Sequence, residues 1–270
     1  MDISLYFSSL ILGLIEGATE FLPVSSTGHL IIAGELLKFN HPSAHVFEIF
    51  IQLGAILAIV VEYRQILSEV ALSAFNNRTS QNFILRLFIA CLPAAILGLL
   101  FHKVIKAYLF SPYYVSLALI IGGVIMIAIE KKPLKIKTES TNEISMMQAF
   151  KIGCAQCLSL IPGVSRAAAT IMGGMLAGLS RKTATEFSFY LAIPIITAAA
   201  LFDLLKNFHE LVPQDLPIFI IGFVTAFLSA YAVIKLFIRF VATHTFISFA
   251  WYRIILGMIV FCILVFDHGL

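Results

Sequence analysis

Charge is scarce in this chain. Of its 270 residues only 12% are Asp, Glu, Lys or Arg, whereas 60% are hydrophobic, and mean hydropathy is +0.98. Soluble domains carry about a quarter charged residues and about half apolar ones. The composition therefore excludes an ordinary water-soluble globule and makes lipid the natural solvent. Net charge is only +3, which excludes the basic footprint of a nucleic-acid binder. Period-two alternation is missing from the apolar runs, so a transmembrane barrel is excluded. Helices remain, because backbone amides in hydrocarbon must pair within their own segment or in a closed barrel. Metal-type cysteine pairs are missing too. Cys154 and Cys157 have CxxC spacing but no companion Cys or His pair, so they read, with Cys91 and Cys262, as buried thiols acting as small hydrophobes. The N-terminus has Asp2 and no basic stretch, which predicts a retained first helix rather than a cleaved signal peptide. No Gly-x-x-x-x-Gly-Lys-Ser/Thr loop occurs, which argues against a nucleotide-using kinase.

What is present is a series of long apolar runs. A span needs about 20 apolar residues. Runs near Val46–Tyr63, Phe83–Phe101, Tyr113–Ile129, Ala184–Leu205, Ile218–Phe240 and Phe249–Phe266 predict six spans, with Pro93 and Pro194 kinking two of them. His45, His102, His209, His244 and His268 lie near span ends and read as interfacial. The densest basic cluster is Lys131, Lys132, Lys135 and Lys137, in a polar linker running to Glu143. The positive-inside rule places it in the cytoplasm.

Two stretches are apolar but interrupted. From Leu5 to Phe39 the interruptions are Glu16, Glu20, Pro23, Ser25, Ser26, Thr27, Gly28 and His29. From Met146 to Leu179 they are Gln156, Ser159, Pro162, Gly163, Ser165, Arg166 and Thr170. Each reads as a short helix, a break and a second short helix. Irregular backbone at lipid depth survives only where protein or water covers it, so both read as re-entrant hairpins. They also resemble each other. Leu22-Pro23-Val24-Ser25-Ser26 aligns with Ile161-Pro162-Gly163-Val164-Ser165-Arg166, Glu16 with Gln156, and the region of Glu48 with that of Glu186. The expected fold is thus all-α and polytopic, with six full spans plus two re-entrant helical hairpins in one membrane domain. It contains two repeats, roughly 1–130 and 144–270. Three intervening spans make the repeats inverted, and paired broken helices in inverted halves point to a site at their interface.

Glu16 and Glu20 are four apart and share a helix face with Gly13 and Gly17, a small-residue face suited to close helix approach. Two acids at lipid depth need a proton, a basic partner or a cation, and a hard divalent ion would take carboxylate and phosphate oxygens together. Ser25, Ser26 or Thr27 can cap the next helix, and a helix N-terminus with hydroxyls is also an anion site. His29, three residues after Ser26, places an imidazole beside a hydroxyl, an arrangement for an activated nucleophile. Arg166 stands at the matching break, where a guanidinium fork suits phosphate or neutralises the acids. Gly163 permits close backbone approach and Ser165 adds a hydroxyl. Glu48, Gln52 and Glu186 face the same interior, to touch substrate or to brace the hairpins. Gly173, Gly174, Ala177 and Gly178 form another close-packing face. Acids, hydroxyls and an imidazole from one half, with a cation from the other, suit phosphoryl chemistry.

At these residues the chain resembles the undecaprenyl-diphosphate phosphatase family, the bacitracin-resistance membrane phosphatases. The resemblance rests on the run from Glu16 through Glu20, Pro23, Ser25, Ser26 and Thr27 to His29, and on Pro162-Gly163-Val164-Ser165-Arg166 with Thr170. Phe47-Glu48 through Gln52-Leu53-Gly54 and Glu186-Phe187-Ser188-Phe189 add to it. It implies two interlocking inverted repeats in a bacterial plasma membrane. It also implies removal of one phosphate from undecaprenyl diphosphate, recycling the cell-wall lipid carrier. It further implies a divalent cation (Mg or Ca), a site open to the outer face, and partners limited to the polyprenyl diphosphate and membrane lipid. A homodimer is one open arrangement. By position, Glu16 and Glu20 would hold metal and pyrophosphate, and Ser26 and His29 would supply nucleophile and acid/base. Arg166, Ser165 and Thr170 would grip phosphate. The attacker stays open among Ser26, His29 and water. Two alanines, Ala167 and Ala168, stand where that family usually has serine and glycine. The rival is a lipid-phosphate transporter or flippase, which shares the inverted-repeat architecture.

Overall fold

The computed structural model describes residues 3–39, 41–108, 111–207 and 212–267, without the side chains of 102–108 and 267. Among the described residues the protein is helical, with eleven α-helices and no named strand. Six helices are long and apolar enough to cross a membrane: α3 (Ala44–Glu62), α5 (Arg78–Tyr108), α6 (Pro112–Lys131), α9 (Arg181–Asn207), α10 (Leu216–Val241) and α11 (Ile247–Asp267). These are the six expected runs, so the chain is a multi-pass membrane protein. The broad lipid-facing surface follows, with Leu99, Leu100, Leu228 and Leu236 all exposed. α5 and α9 continue through Pro93 and Pro194. One short helix, α4 (Arg64–Ser73), was not legible as a span and buries no residue; it joins α3 to α5.

The interrupted stretches fold as pairs of short helices. The first pair is α1 (Ile3–Thr19) and α2 (Ser26–Leu36), and the second is α7 (Met146–Gln156) and α8 (Arg166–Leu176). Pro23 lacks an amide hydrogen, which ends helical bonding in the first break. The second contains a 3-10 turn, Cys157–Leu160, followed by Pro162 and Gly163. The helices restart at serine caps. Ser25 Oγ accepts from Gly28 N at 3.4 Å and Ser165 Oγ accepts from Ala168 N at 3.1 Å. The Ser25 backbone lies at φ 73° and Gly163 at φ 89°, a region that glycine enters without strain and serine does not.

The hairpins interlock with the opposite half. α1 packs along α10, while α7 packs along α5; α3 and α9 meet at the centre, and α6 pairs with α11. Close approach depends on missing side chains. A Cβ on Gly13 or Gly17 would overlap α10 backbone, and one on Gly153 would sit 2.6 Å from the Ala90 carbonyl. At one edge of the bundle Glu130 pins three helix ends. Its fully buried carboxylate takes a forked bond from Arg181 at 2.6 to 3.1 Å and accepts from Phe246 N at 2.9 Å. The Lys-rich linker docks beneath α8, where Lys137 N donates to Gly178 O at 2.7 Å.

The thiols correct one expectation. All four cysteines are free, but Cys154 and Cys262 are exposed and Cys91 and Cys157 half-buried. They lie on apolar surface rather than in the core. His45 and His244 are exposed near the ends of α3 and α10. His209, His268 and the side chain of His102 lie outside the described residues.

Candidate functional site

The two breaks meet. α1 ends at Thr19, so Glu16 lies in its last turn and Glu20 just beyond. α8 begins at Arg166 beneath its Ser165 cap. The Arg166 Nη2 lies 2.9 Å from Glu20 Oε1, with both side chains nearly buried. Glu20 Oε2 accepts from Ser26 Oγ at 2.6 Å. One carboxylate therefore links a cation from the second break to a hydroxyl from the first. Arg166 Nη1 donates to Ser188 O at 3.0 Å and to Ser188 Oγ at 3.3 Å, and its guanidinium lies 5.8 Å from the centroid of Phe21. Thr170 Oγ1 bonds Ser188 Oγ at 2.6 Å and Arg166 O at 2.9 Å. Ser165 Oγ also donates to Leu22 O at 3.4 Å, tying one break to the other.

Polar atoms are left over at this point. Both Glu16 carboxyl oxygens and Arg166 Nε are buried without a partner. Glu16 is fully buried, with Glu20 and Glu48 as its like-charged neighbours and Arg166 as the opposing charge. Glu20 takes the Arg166 ion pair, and Glu16 is left beside it without a donor of its own. Buried polar groups are rarely orphaned, so an unmet acceptor and donor here mark a place for a ligand. Glu48 itself is exposed. Among the described residues no group of three or more His, Cys, Asp or Glu forms a metal cage. The donor set suits a hard cation that shares its coordination with phosphate oxygens, which is the usual habit of magnesium.

The other expected residues divide. His29 is not on Ser26. Its Nδ1 lies 2.7 Å from Ser25 O and its Nε2 lies 2.7 Å from Tyr252 Oη, with the two rings stacked. A carbonyl only accepts, so Nδ1 carries the hydrogen, and in the neutral imidazole Nε2 accepts from the tyrosine. Three-residue spacing was the reason for expecting a Ser26–His29 pair; Ser26 turns to Glu20 instead. Thr27 is half-buried in the first turn of α2, and Gln52 is half-buried on α3. Glu186 lies elsewhere. It is 3.9 Å from Lys182 and acts electrostatically on Tyr63 and Tyr190, because two positions along α9 from Ser188 is nearly the opposite helix face. Ala167 and Ala168 are buried in the first turn of α8.

Two contributors carried no motif, Tyr252 and Arg253, and a third, Ser188, was quoted only within Glu186-Phe187-Ser188-Phe189 without a role of its own. Arg253 was the most legible, as a charge within the apolar run Phe249–Phe266. It is fully buried and donates to Pro23 O at 3.3 Å and Gly163 O at 3.1 Å, one carbonyl from each break.

Fold and site together define a polytopic helical membrane protein with an acid–hydroxyl–arginine centre where two broken helices meet. The family model for bacitracin resistance protein BacA matches residues 9–259, and the chain belongs to that family. Curated relatives include the undecaprenyl-diphosphatase of Methylobacillus flagellatus, 57% identical over 96% of this chain and 98% of that one. Those of Dechloromonas aromatica and Nitrosomonas europaea are 51% and 52% identical, each over 96% of this chain and 95% of the relative.

Proposed function

We propose that the protein is an undecaprenyl-diphosphate phosphatase, releasing inorganic phosphate from the lipid diphosphate and leaving the lipid monophosphate. Such recycling of the cell-wall carrier accounts for bacitracin resistance. The single observation carrying this reading is the Ser26–Glu20–Arg166 chain, 2.6 Å and 2.9 Å in its two links, drawn from two distant breaks. In the proposed mechanism the terminal phosphate enters between Ser26 and Arg166. Glu20 accepts the Ser26 proton as Oγ attacks phosphorus in line, and the bond to the bridging oxygen breaks, freeing the lipid monophosphate. Arg166 stabilises the charge that spreads over the phosphoryl oxygens, its Nε adding a donor. Glu20 passes the Ser26 proton to the departing lipid monophosphate; water then cleaves the Ser26 phosphate ester, with Glu20 taking the proton of the water and returning it to Ser26 Oγ as inorganic phosphate leaves. His29, held by Tyr252, flanks Ser25 on the other side of the loop.

Glu16, with Glu20, would hold a divalent cation, magnesium or calcium, whose chemistry would be to neutralise the diphosphate charge. The unpartnered Glu16 oxygens support this. An outward-facing site is supported by counting. With the Lys-rich linker at the end of α6 in the cytoplasm, three alternating spans put the start of α3, with exposed Glu48, on the outer side. The reciprocal packing of α1 on α10 and α7 on α5 supports two inverted repeats with re-entrant hairpins.

The test is phosphate release from a long-chain prenyl diphosphate by purified protein in detergent, where no compartments exist. The enzyme releases phosphate, and does so less with chelator present. A transporter or flippase releases none.

A further inference from the structure

We propose that Arg253 is a positioning residue that holds both hairpin breaks in register, so that Arg166 and Ser26 meet on one carboxylate. Its guanidinium is fully buried on α11 and engages three backbone carbonyls: Pro23 O at 3.3 Å, Gly163 O at 3.1 Å and Ala118 O at 3.3 Å. No carboxylate among the described residues pairs with it by an ion bridge. A buried cation without a counter-ion is costly at lipid depth. Here the compensation comes from backbone carbonyls: Ala118 O within α6, and Pro23 O and Gly163 O in the two irregular segments. The last two lie outside any helix and need donors, since no water at that depth would otherwise supply them.

The placement is specific to the two breaks. Pro23 precedes the Ser25 cap by two residues, and Gly163 precedes the Ser165 cap by the same interval. One fork thus sets where both caps begin, and with them Ser26 and Arg166. The surroundings are cut to fit. A Cβ on Gly122 would fall 2.9 Å from the Arg253 Cζ, so α6 leaves space for the guanidinium. Gly163 turns its carbonyl to the arginine at φ 89°, with its α-carbon pressed on α6 where an added Cβ would meet Val115 O at 2.7 Å. A lysine cannot reproduce this fork, because its ammonium is a single point without planar, spread donors.

This inference rests on the phosphatase reading for its kinetics but not for its geometry, and the experiment has an arm for each. Wild type, Arg253→Lys and Arg253→Met are purified in detergent and followed by hydrogen–deuterium exchange and by phosphate release. In Arg253→Lys, exchange is expected to quicken at peptides covering 22–26 and 162–166 together, while the α1–α10 crossing stays protected. Turnover is expected to fall by roughly 10²-fold with KM changed far less, since misplacement by about an ångström costs that much. Unchanged exchange at both breaks, or kcat within about twofold of wild type, would overturn the positioning role. Should Arg253→Met fail to fold, the lysine variant decides alone. Failure of wild type to release phosphate overturns the enzymatic reading, while the exchange result still decides whether Arg253 clamps the breaks.

Discussion

At the scale of single residues, Glu20 does the most. Its two oxygens bond Ser26 and Arg166 at once. Breaking a buried ion pair by removing one partner costs about 3–5 kcal/mol, and a general base contributes about 10²–10⁴-fold. Glu20→Gln is therefore expected to lower phosphate release at least ~10²-fold, measured on protein that elutes and melts like wild type. Ser26→Ala is expected to abolish turnover. A phosphoserine trapped on a wild-type peptide by rapid quench and mass spectrometry would report the covalent step. A Ser26→Ala enzyme with nearly full activity would leave water as the attacker. Tyr252→Phe removes one neutral hydrogen bond from His29, worth about 0.5–1.5 kcal/mol, so a drop in phosphate release of roughly 2- to 13-fold is expected. Glu16, Glu20, Ser26 and Arg166 were legible because charge and hydroxyls are rare inside apolar runs. Tyr252 was not, because aromatic residues are common in such runs, and Ser188 stood in the Glu186–Phe189 run with nothing to say that it would meet Arg166. The Ser26–His29 pair failed because sequence spacing gives a helix face, whereas the break lets Ser26 at the helix start turn to Glu20.

At the scale of elements, the two breaks bring Glu20, Ser26 and Arg166 together, and a glycine at φ 89° makes the second of them. Gly163→Ala places a β-carbon at φ 89° and presses it on the Val115 carbonyl. Strain of this type costs on the order of 1–3 kcal/mol. The variant is expected to melt lower in detergent and to lose activity beyond what its remaining folded fraction explains. A wild-type melting profile with wild-type turnover would contradict the need for that turn. Six spans and two interrupted stretches were readable from run length and Pro/Ser placement alone. α4 was not, since its ten residues are amphipathic, bury nothing and bear no span-like signal. Glu186, expected at the interior, is half-buried beside Lys182 and away from Arg166: in a span polar on more than one face, the sequence does not say which face meets the partner helix.

At the scale of the molecule, neither half is complete. The first supplies Glu16, Glu20 and Ser26, and the second supplies Arg166, Ser188 and Arg253. Each hairpin packs on a span of the other half, so the bundle and the site form together. The sequence offered two similar breaks about 140 residues apart, but not which atoms of them would meet, because inter-helix register depends on packing at Gly13, Gly17 and Gly153. The most direct measurement is phosphate release from undecaprenyl diphosphate by purified wild type, Glu20→Gln, Arg166→Ala and the double variant, all in detergent with divalent cation. Groups that act as one unit are strongly non-additive. The prediction is a working wild type, two nearly inactive singles and a double no worse than either. A wild type that releases no phosphate, or singles whose losses multiply as independent sites, would contradict a catalytic centre joined across the two halves.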